Sequence, residues 1–170
     1  MKILLHACCA PCAIECVHLL CDDGHKVTLF WYNPNIEPQD EYGKRQGSLR
    51  KFVEFSATEL INYGEYGIED FTGNVISMNG DDCGICYTKR LFAAASVTLN
   101  AGYDAFSTTL LISPYQKHDV IRSVGENIEQ MTGTSFYYRD FRSSFRDGQR
   151  KARELGFYMQ KYCGCLKHKD

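Results

Sequence analysis

The sequence predicts an α/β fold, a single-domain doubly wound parallel sheet running through residues 1–170. Three features lead there. The first 32 residues hold two apolar, strand-like runs separated by a helical pattern, a βαβ unit that calls for parallel strands and a right-handed crossover. Strand-like and helix-like segments then go on alternating, with no internal repeat, low-complexity tract or linker. Finally, 170 residues with 44% hydrophobic and 24% charged side chains suffice for one ordinary core.

Taken in order, Lys2–His6 is a short apolar run and His25–Tyr32 a second, rich in β-branched and aromatic residues. Both read as buried strands. Between them, Pro11–Cys21 sets Ile14, Val17, His18 and Cys21 at helical spacing, with Asp22, Asp23 and Gly24 as the stop. Asn33-Pro34-Asn35 closes the second strand, and a helix is predicted from Pro38 to Glu54. Residues 55–82 are the least legible, with a short strand at Leu60–Tyr63 and several glycines. Helix resumes over Ile85–Asn100 and stops at Ala101-Gly102. Tyr103–Ser107 reads as a strand, Tyr115–Met131 as a helix, Ser135–Arg139 as a strand and Ser144–Leu155 as a last helix, before Gly156 and an irregular tail.

No apolar run approaches the roughly 20 residues that cross a bilayer. The start, Met1 to His6, is too short and too soon polar for a signal peptide. A cytoplasmic location without a membrane partner is therefore expected. In that setting nine cysteines need a reason: Cys8, Cys9, Cys12, Cys16, Cys21, Cys83, Cys86, Cys163 and Cys165. A chain that can bury its own core has little use for a disulfide framework, so metal ligation or thiol chemistry is the better account.

In doubly wound sheets, ligands bind beyond the carboxyl ends of the strands, where the strand order reverses. Cys8-Cys9-Ala10-Pro11-Cys12 follows the first strand and opens the first helix, whose N-terminus favours thiolates, the metal-binding form. The loop lacks phosphate-cradling glycines, so no nucleotide cofactor is expected. Cys83-Gly84-Ile85-Cys86 opens another helix, and Cys163-Gly164-Cys165 adds a second closely spaced pair. These four thiolates suit either a structural Zn²⁺ or a [4Fe–4S] cluster. With Cys8, Cys9 and Cys12 the count is too high for one tetrahedral ion. The excess points to a cluster with a further ion, or to a cluster beside a reactive dithiol. Cys16 and Cys21 are expected to pack as small hydrophobes, and His6 and His18 to be satisfied core or strand-end histidines.

Thr108 and Thr109 follow a strand and fall on the functional rim, as does Asp140, between Arg139 and Arg142; both places suit substrate contact or proton transfer. Charge is uneven. Residues 139–170 carry nine Lys/Arg against four acids, whereas residues 1–138 carry ten against seventeen. Such a basic segment is what a polyanion-binding face looks like, with Arg142, Arg146 and Arg150 as its candidate nucleic-acid contacts; a solvated helix face is the alternative. Tyr115, Phe136, Tyr137, Tyr138 and Phe141 could stack on bases, although aromatics in such runs more often fill a core.

The segments LLHACCAPC (4–12), YNPNIEPQDEYGKR (32–45), CGICYTKRL (83–91), DAFSTTLLISPYQKHD (104–119), FYYRDFRSSFRDG (136–148) and YMQKYCGC (158–165) together resemble the cobalamin-independent epoxyqueuosine reductases of the QueH type. The resemblance implies a fold similar to the adenine-nucleotide α-hydrolase-like (HUP) fold without its phosphate loop. It implies reductive deoxygenation of epoxyqueuosine to queuosine at the wobble position of tRNA, the last step of queuosine biosynthesis. It also implies a [4Fe–4S] cluster on Cys83, Cys86, Cys163 and Cys165, and an adjacent mononuclear iron on Cys8 and Cys9. Many members carry Asp where this chain has Cys12; a thiolate there is a softer ligand. In the mechanism so implied, the extra iron acts as Lewis acid on the epoxide oxygen, Asp140 supplies a proton and an external donor supplies electrons. Two readings from other classes stand beside it: a zinc-stabilised RNA-binding module without catalysis, and a thiol–disulfide oxidoreductase.

Overall fold

The structure, a computed structural model, describes residues 1–66 and 82–165. Four parallel strands, β1 (Lys2–His6), β2 (Lys26–Trp31), β3 (Glu59–Asn62) and β4 (Ala105–Thr108), form one sheet in the order β3-β2-β1-β4. The chain steps outward through β2 and β3, then crosses back to place β4 on the other side of β1. The strand order therefore reverses between β1 and β4, and that reversal creates the crevice where such folds bind ligands. The helices are α1 (Ala10–Asp22), α2 (Gln39–Ser56), α3 (Asp82–Ala101), α4 (His118–Thr132) and α5 (Phe145–Glu154). α1 packs on α2 and α5, and α3 on α4, so two helical layers flank the sheet.

Local chemistry explains the elements. Ile3, Leu4, Leu5 and His6 are all fully buried, as a central parallel strand covered on both faces requires. Pro11 lies in the first turn of α1, where its missing N–H costs no helical hydrogen bond. Gly24, at φ +81°, supplies the left-handed turn into β2. Trp31, at the end of β2, is fully buried and donates its indole N–H to Tyr42 Oη on α2 at 2.7 Å.

Several predicted boundaries shift. The strand predicted over Ser135–Arg139 contracts to a single parallel bridge between Phe136 and Phe106. β4 is the reason. Phe106 exchanges two backbone bonds there, receiving from Tyr137 N at 2.8 Å and donating to Ser135 O at 3.0 Å. The next rung is made by a side chain, Ser107 Oγ donating to Tyr137 O at 2.8 Å, and β4 then curls into a 3-10 turn at Thr109–Ile112. The helix predicted from Tyr115 begins at His118, because Tyr115 and Gln116 belong to a loop tied to α3: Tyr87 Oη donates to Gln116 Oε1 at 2.7 Å. The predicted stretch 55–82 resolves into the end of α2, β3 and a loop to Tyr66; residues 67–81 lie outside the described residues.

The edge segment at Phe136 is packed to capacity. A Cβ built on Gly125 of α4 would collide with the Phe136 ring, and that ring lies against Phe106 with centroids 5.2 Å apart. Gly125→Ala is expected to destabilise the fold by about 1–3 kcal/mol, the usual cost of overpacking. Urea denaturation checks this: an unchanged midpoint would mean that the ring swings aside freely.

Candidate metal centre

The loop after β1 delivers its cysteines to the crevice. Cys8, Cys9 and Cys12 are all buried, and their sulfurs lie within 4.8 Å of one another, with Cys8 and Cys9 Sγ 3.8 Å apart. One tetrahedral ion with metal–sulfur bonds of roughly 2.3 Å holds its sulfurs about 3.8 Å apart, so the triad suits a single ion. The Cys8 thiol is pushed well down, because hydrogen bonds from Cys12 and then Cys9 stabilise its anion. Cys9 is pushed up, chiefly by burial, and Cys12 chiefly by its hydrogen bond to Cys8. A cation entering the triad would displace the thiol protons.

Neighbouring side chains hold the triad in place. Gln160 Nε2 donates to Cys9 Sγ at 2.8 Å and approaches Cys12 Sγ at 3.7 Å, while its Oε1 is buried with no hydrogen-bond partner among the described residues. Thr109 Oγ1 lies 3.9 Å from Cys8 Sγ. Gly148 lets α5 close on the first turn of α1, since a Cβ there would stand 2.9 Å from Pro11 O. His6 is fully buried and its ring is satisfied. Its Nε2–H faces Tyr32 O at 3.2 Å and Asn33 Oδ1 at 3.1 Å, which leaves Nδ1 to accept from Thr108 Oγ1 at 3.0 Å. Burial first, and Arg90 second, lower its pKa to about 4, so it stays neutral. The expectation of a satisfied core histidine holds for His6. His18 instead lies exposed on α1, 3.2 Å from Asp22.

The second set of sulfurs comes from two distant segments. Cys83 and Cys86 sit in the first turn of α3, and Cys163 and Cys165 on a C-terminal loop; all four are half-buried. Cys86 is pushed up chiefly by its own burial, with Cys163, Cys165 and Cys83 adding repulsion. Among the described residues, only Cys8, Cys9 and Cys12 bring three ligand atoms within 4.8 Å. No three of the other four sulfurs meet that condition among the described residues.

The C-terminal loop is docked by residues that the sequence pattern did not single out. Arg45 of α2 is 1% exposed; its Nε donates to Glu41 Oε1 at 2.7 Å, Nη1 to Cys163 O at 3.2 Å and Nη2 to Tyr162 O at 2.8 Å. Tyr158 Oη donates to the other Glu41 oxygen at 2.5 Å, Tyr162 Oη to Glu37 O, and Glu37 N to Gly164 O at 2.8 Å. The signal for these contacts lay in the 32–45 segment, whose Glu41 and Arg45 are four apart on one helix face.

The remaining predicted residues fall as follows. Thr108 is fully buried, and its hydroxyl both bonds His6 and accepts from Leu110 N at 3.1 Å, so it braces the loop instead of facing a ligand. Asp140 is at the rim, but Arg142 holds it: Nε lies 2.9 Å from Oδ1 and Nη2 2.6 Å from Oδ2. That pairing lowers its pKa to about 2, the wrong direction for a proton donor at neutral pH. Arg150 pairs with Asp147 at 2.9 Å and Glu154 at 3.5 Å, while Arg146 is exposed with no ion pair among the described residues. Cys16 is buried in the core as expected. Cys21 is exposed, because it follows fully buried Leu20 and turns away from the sheet. Of the candidate stacking aromatics, only Tyr115 stands clear, 84% exposed and edge-on to Phe145 at 5.8 Å.

A parallel α/β sheet whose crevice holds a buried triad of cysteine sulfurs belongs to the class of thiol-centred α/β proteins with a candidate metal-binding site. The profile of the family described as epoxyqueuosine reductase QueH matches residues 3–169. The chain belongs to this family, whose curated members are oxidoreductases. It is 36% identical to the epoxyqueuosine reductase QueH of Dehalococcoides mccartyi over 97% of this chain and 91% of the relative. It is 33% identical to that of Thermotoga maritima, over 96% and 88%, and 31% identical to that of Streptococcus pyogenes, over 97% and 69%. Among solved structures, the U34-tRNA thiolase NcsA of Methanococcus maripaludis, with its [4Fe-4S] cluster, aligns at a TM-score of 0.48 and 12% identity, over 100% of this chain and 78% of that one. No described helix is long and apolar enough to cross a membrane.

Proposed function

We propose that this chain reduces epoxyqueuosine to queuosine at the wobble position of tRNA, the last step of queuosine biosynthesis, in the cytoplasm. In this reading Cys83, Cys86, Cys163 and Cys165 hold a [4Fe–4S] cluster, and Cys8, Cys9 and Cys12 hold an additional mononuclear iron. The observation that carries it is the buried triad of Cys8, Cys9 and Cys12, in a member of this family that has four further half-buried cysteines on α3 and the C-terminal loop. The overall change is a two-electron, two-proton reduction: the epoxide C–O bonds break, an alkene forms and the oxygen leaves as water. When bound, the cluster supplies electrons received from an external donor, and the further ion supplies an open Lewis-acid position.

The chain's own residues orient and shield this chemistry. Thr109 presents a hydroxyl beside Cys8, which suits it to contact the substrate oxygen. Thr108 and His6 keep the β1 and β4 loops in register, and Asp140 fixes Arg142 at the rim. Arg146 contributes a cation with no ion pair among the described residues to the RNA face, flanked by Arg142 and Arg150. Tyr115 offers an exposed ring for a base unstacked from the anticodon loop, on a loop bonded to Tyr87, the residue after Cys86.

Anaerobic purification tests the reading. Brown protein with iron and sulfide that converts epoxyqueuosine in tRNA supports it; colourless protein carrying stoichiometric zinc supports the RNA-binding alternative instead. The RNA face has its own test. Reversing Arg142, Arg146 and Arg150 should weaken tRNA binding and flatten its salt dependence, because fewer counterions are released. Arg146→Glu alone should account for most of the loss, since the other two are already paired. Tyr115→Ala should weaken binding roughly tenfold, as stacking contributes about 1–3 kcal/mol. An unchanged salt slope in the triple variant would move the RNA face elsewhere.

A further inference from the structure

Two arginines are buried beside the cysteines, and they differ in one respect. Arg45, 1% exposed, is matched by the Glu41 carboxylate at 2.7 Å. Arg90 is 2% exposed and has no carboxylate partner among the described residues; its hydrogen bond is from Nε to Cys86 O at 3.2 Å, and its guanidinium lies 5.6 Å from the Tyr87 ring. A buried cation without a counter-charge costs several kcal/mol, and among the described residues no carboxylate offsets this one. The position is informative. Arg90 stands one helical turn after Cys86, and its charge acts on Cys86 of the wider set, on Cys8 of the triad and on His6.

We propose that Arg90 is the counter-cation of the thiolate centre, a buried guanidinium held beside Cys86 that balances the negative charge of the metal-loaded cysteines. The inference rests on the iron–sulfur reading above for the identity of the load, but not for the need of one. Four thiolates outweigh the positive charge of a [4Fe–4S] core, so the loaded site is anionic, and at this depth a neighbouring cation interacts strongly with it. The same residue therefore has opposite effects in two states. It destabilises the metal-free fold, and it stabilises the loaded one. Because each added electron makes the cluster more negative, a fixed cation also favours the reduced form and raises the reduction potential. Arg90 acts as a positioning and electrostatic residue; it need not touch substrate.

The experiment compares wild type, Arg90→Met and Arg90→Lys, each purified without oxygen, stripped with chelator and reconstituted with iron and sulfide. Metal-free Arg90→Met should melt at a higher temperature than metal-free wild type, because the unmatched charge is gone. Loaded Arg90→Met should lose metal to a competing chelator roughly 10- to 100-fold more readily, the scale set by other supporting residues around metal sites. Its midpoint potential should shift to more negative values. Arg90→Lys, which keeps the charge, should stay near wild type in both states. Arg45→Met is the contrast: it strands Glu41 and should lower the melting temperature of the metal-free protein. A metal-free Arg90→Met that melts at or below wild type, or fails to fold, overturns the proposal, as does a loaded Arg90→Met with unchanged metal retention and potential. If wild type takes up zinc and forms no cluster, the iron–sulfur reading fails instead. The metal-free comparison and zinc retention then still decide the role of Arg90.

Discussion

Cys83→Ser and Cys165→Ser are each expected to lose the iron–sulfur absorbance and all reduction of epoxyqueuosine, whereas Cys16→Ala should keep its iron. The reason is geometric. Cys83 and Cys86 begin α3, Cys163 and Cys165 lie on the docked C-terminal loop, and removing any corner would leave the proposed cluster with an unfilled iron. Cys16 is also fully buried, yet it packs in the core and lies outside the group of sulfurs within ligand distance. Its alanine variant loses only packing, about 1 kcal/mol for a small buried side chain. Cys12 belongs to the tight triad and should behave differently from both: Cys12→Ala should lose mainly the single ion and keep the cluster absorbance, while Cys12→Asp keeps an anionic ligand. Iron and sulfide analysis across these variants makes the comparison. Equal iron loss from Cys16→Ala and Cys83→Ser would contradict this division of the cysteines.

Gly164→Ala is expected to act almost as strongly without touching a ligand. Gly164 sits between two candidate ligand cysteines at φ +115°, a region that side-chain-bearing residues adopt at a cost of about 1–3 kcal/mol. The space is also taken. An added Cβ would lie 2.9 Å from Ile36 Cγ1 and 3.1 Å from Asn35 Nδ2, and Ile36 is 1% exposed and cannot yield. The loop must then lift from its dock, breaking the bonds from Arg45 Nη1 to Cys163 O and from Glu37 N to Gly164 O. Cys163 and Cys165 move with it. The variant should assemble little cluster while its sheet and helices stay folded, since the loop lies at the periphery of the core. Circular dichroism with iron analysis separates the two properties: full iron content in Gly164→Ala would show that the loop tolerates a side chain there.

The cysteine pattern was open to reading because metal chemistry imposes short spacings that survive in linear sequence. CCxxC after an apolar strand and CxxC at a helix start each place sulfurs together within one turn, whatever the rest of the chain does. The parallel α/β class was equally open, since alternating apolar runs and amphipathic helices leave few topologies that bury both. Rim residues fared differently. Asp140 follows the last edge segment as expected, but the nearness of Arg142 turns its carboxyl into a partner for a guanidinium, a matter of side-chain direction that neighbouring letters do not specify. Cys21 keeps helical spacing with Ile14 and Val17, both buried, yet it lies in the last turn of α1, where Asp22 and Asp23 beside it also reach solvent.

By itself, then, the sequence determined the parallel α/β class and the thiol centre at the mouth of the first strand, because each follows from local spacing and periodicity. Only the tertiary structure decided how those parts meet. It brought the 32–45 segment under the C-terminal loop, set Gln160 against Cys9 and Cys12, and buried Arg45 against the carbonyl of Cys163 and Arg90 against that of Cys86. All but the last of these contacts join residues far apart in the chain, and they form only when the fold closes. Charge compensation and backbone docking depend on that closure, so no local pattern of residues announces them.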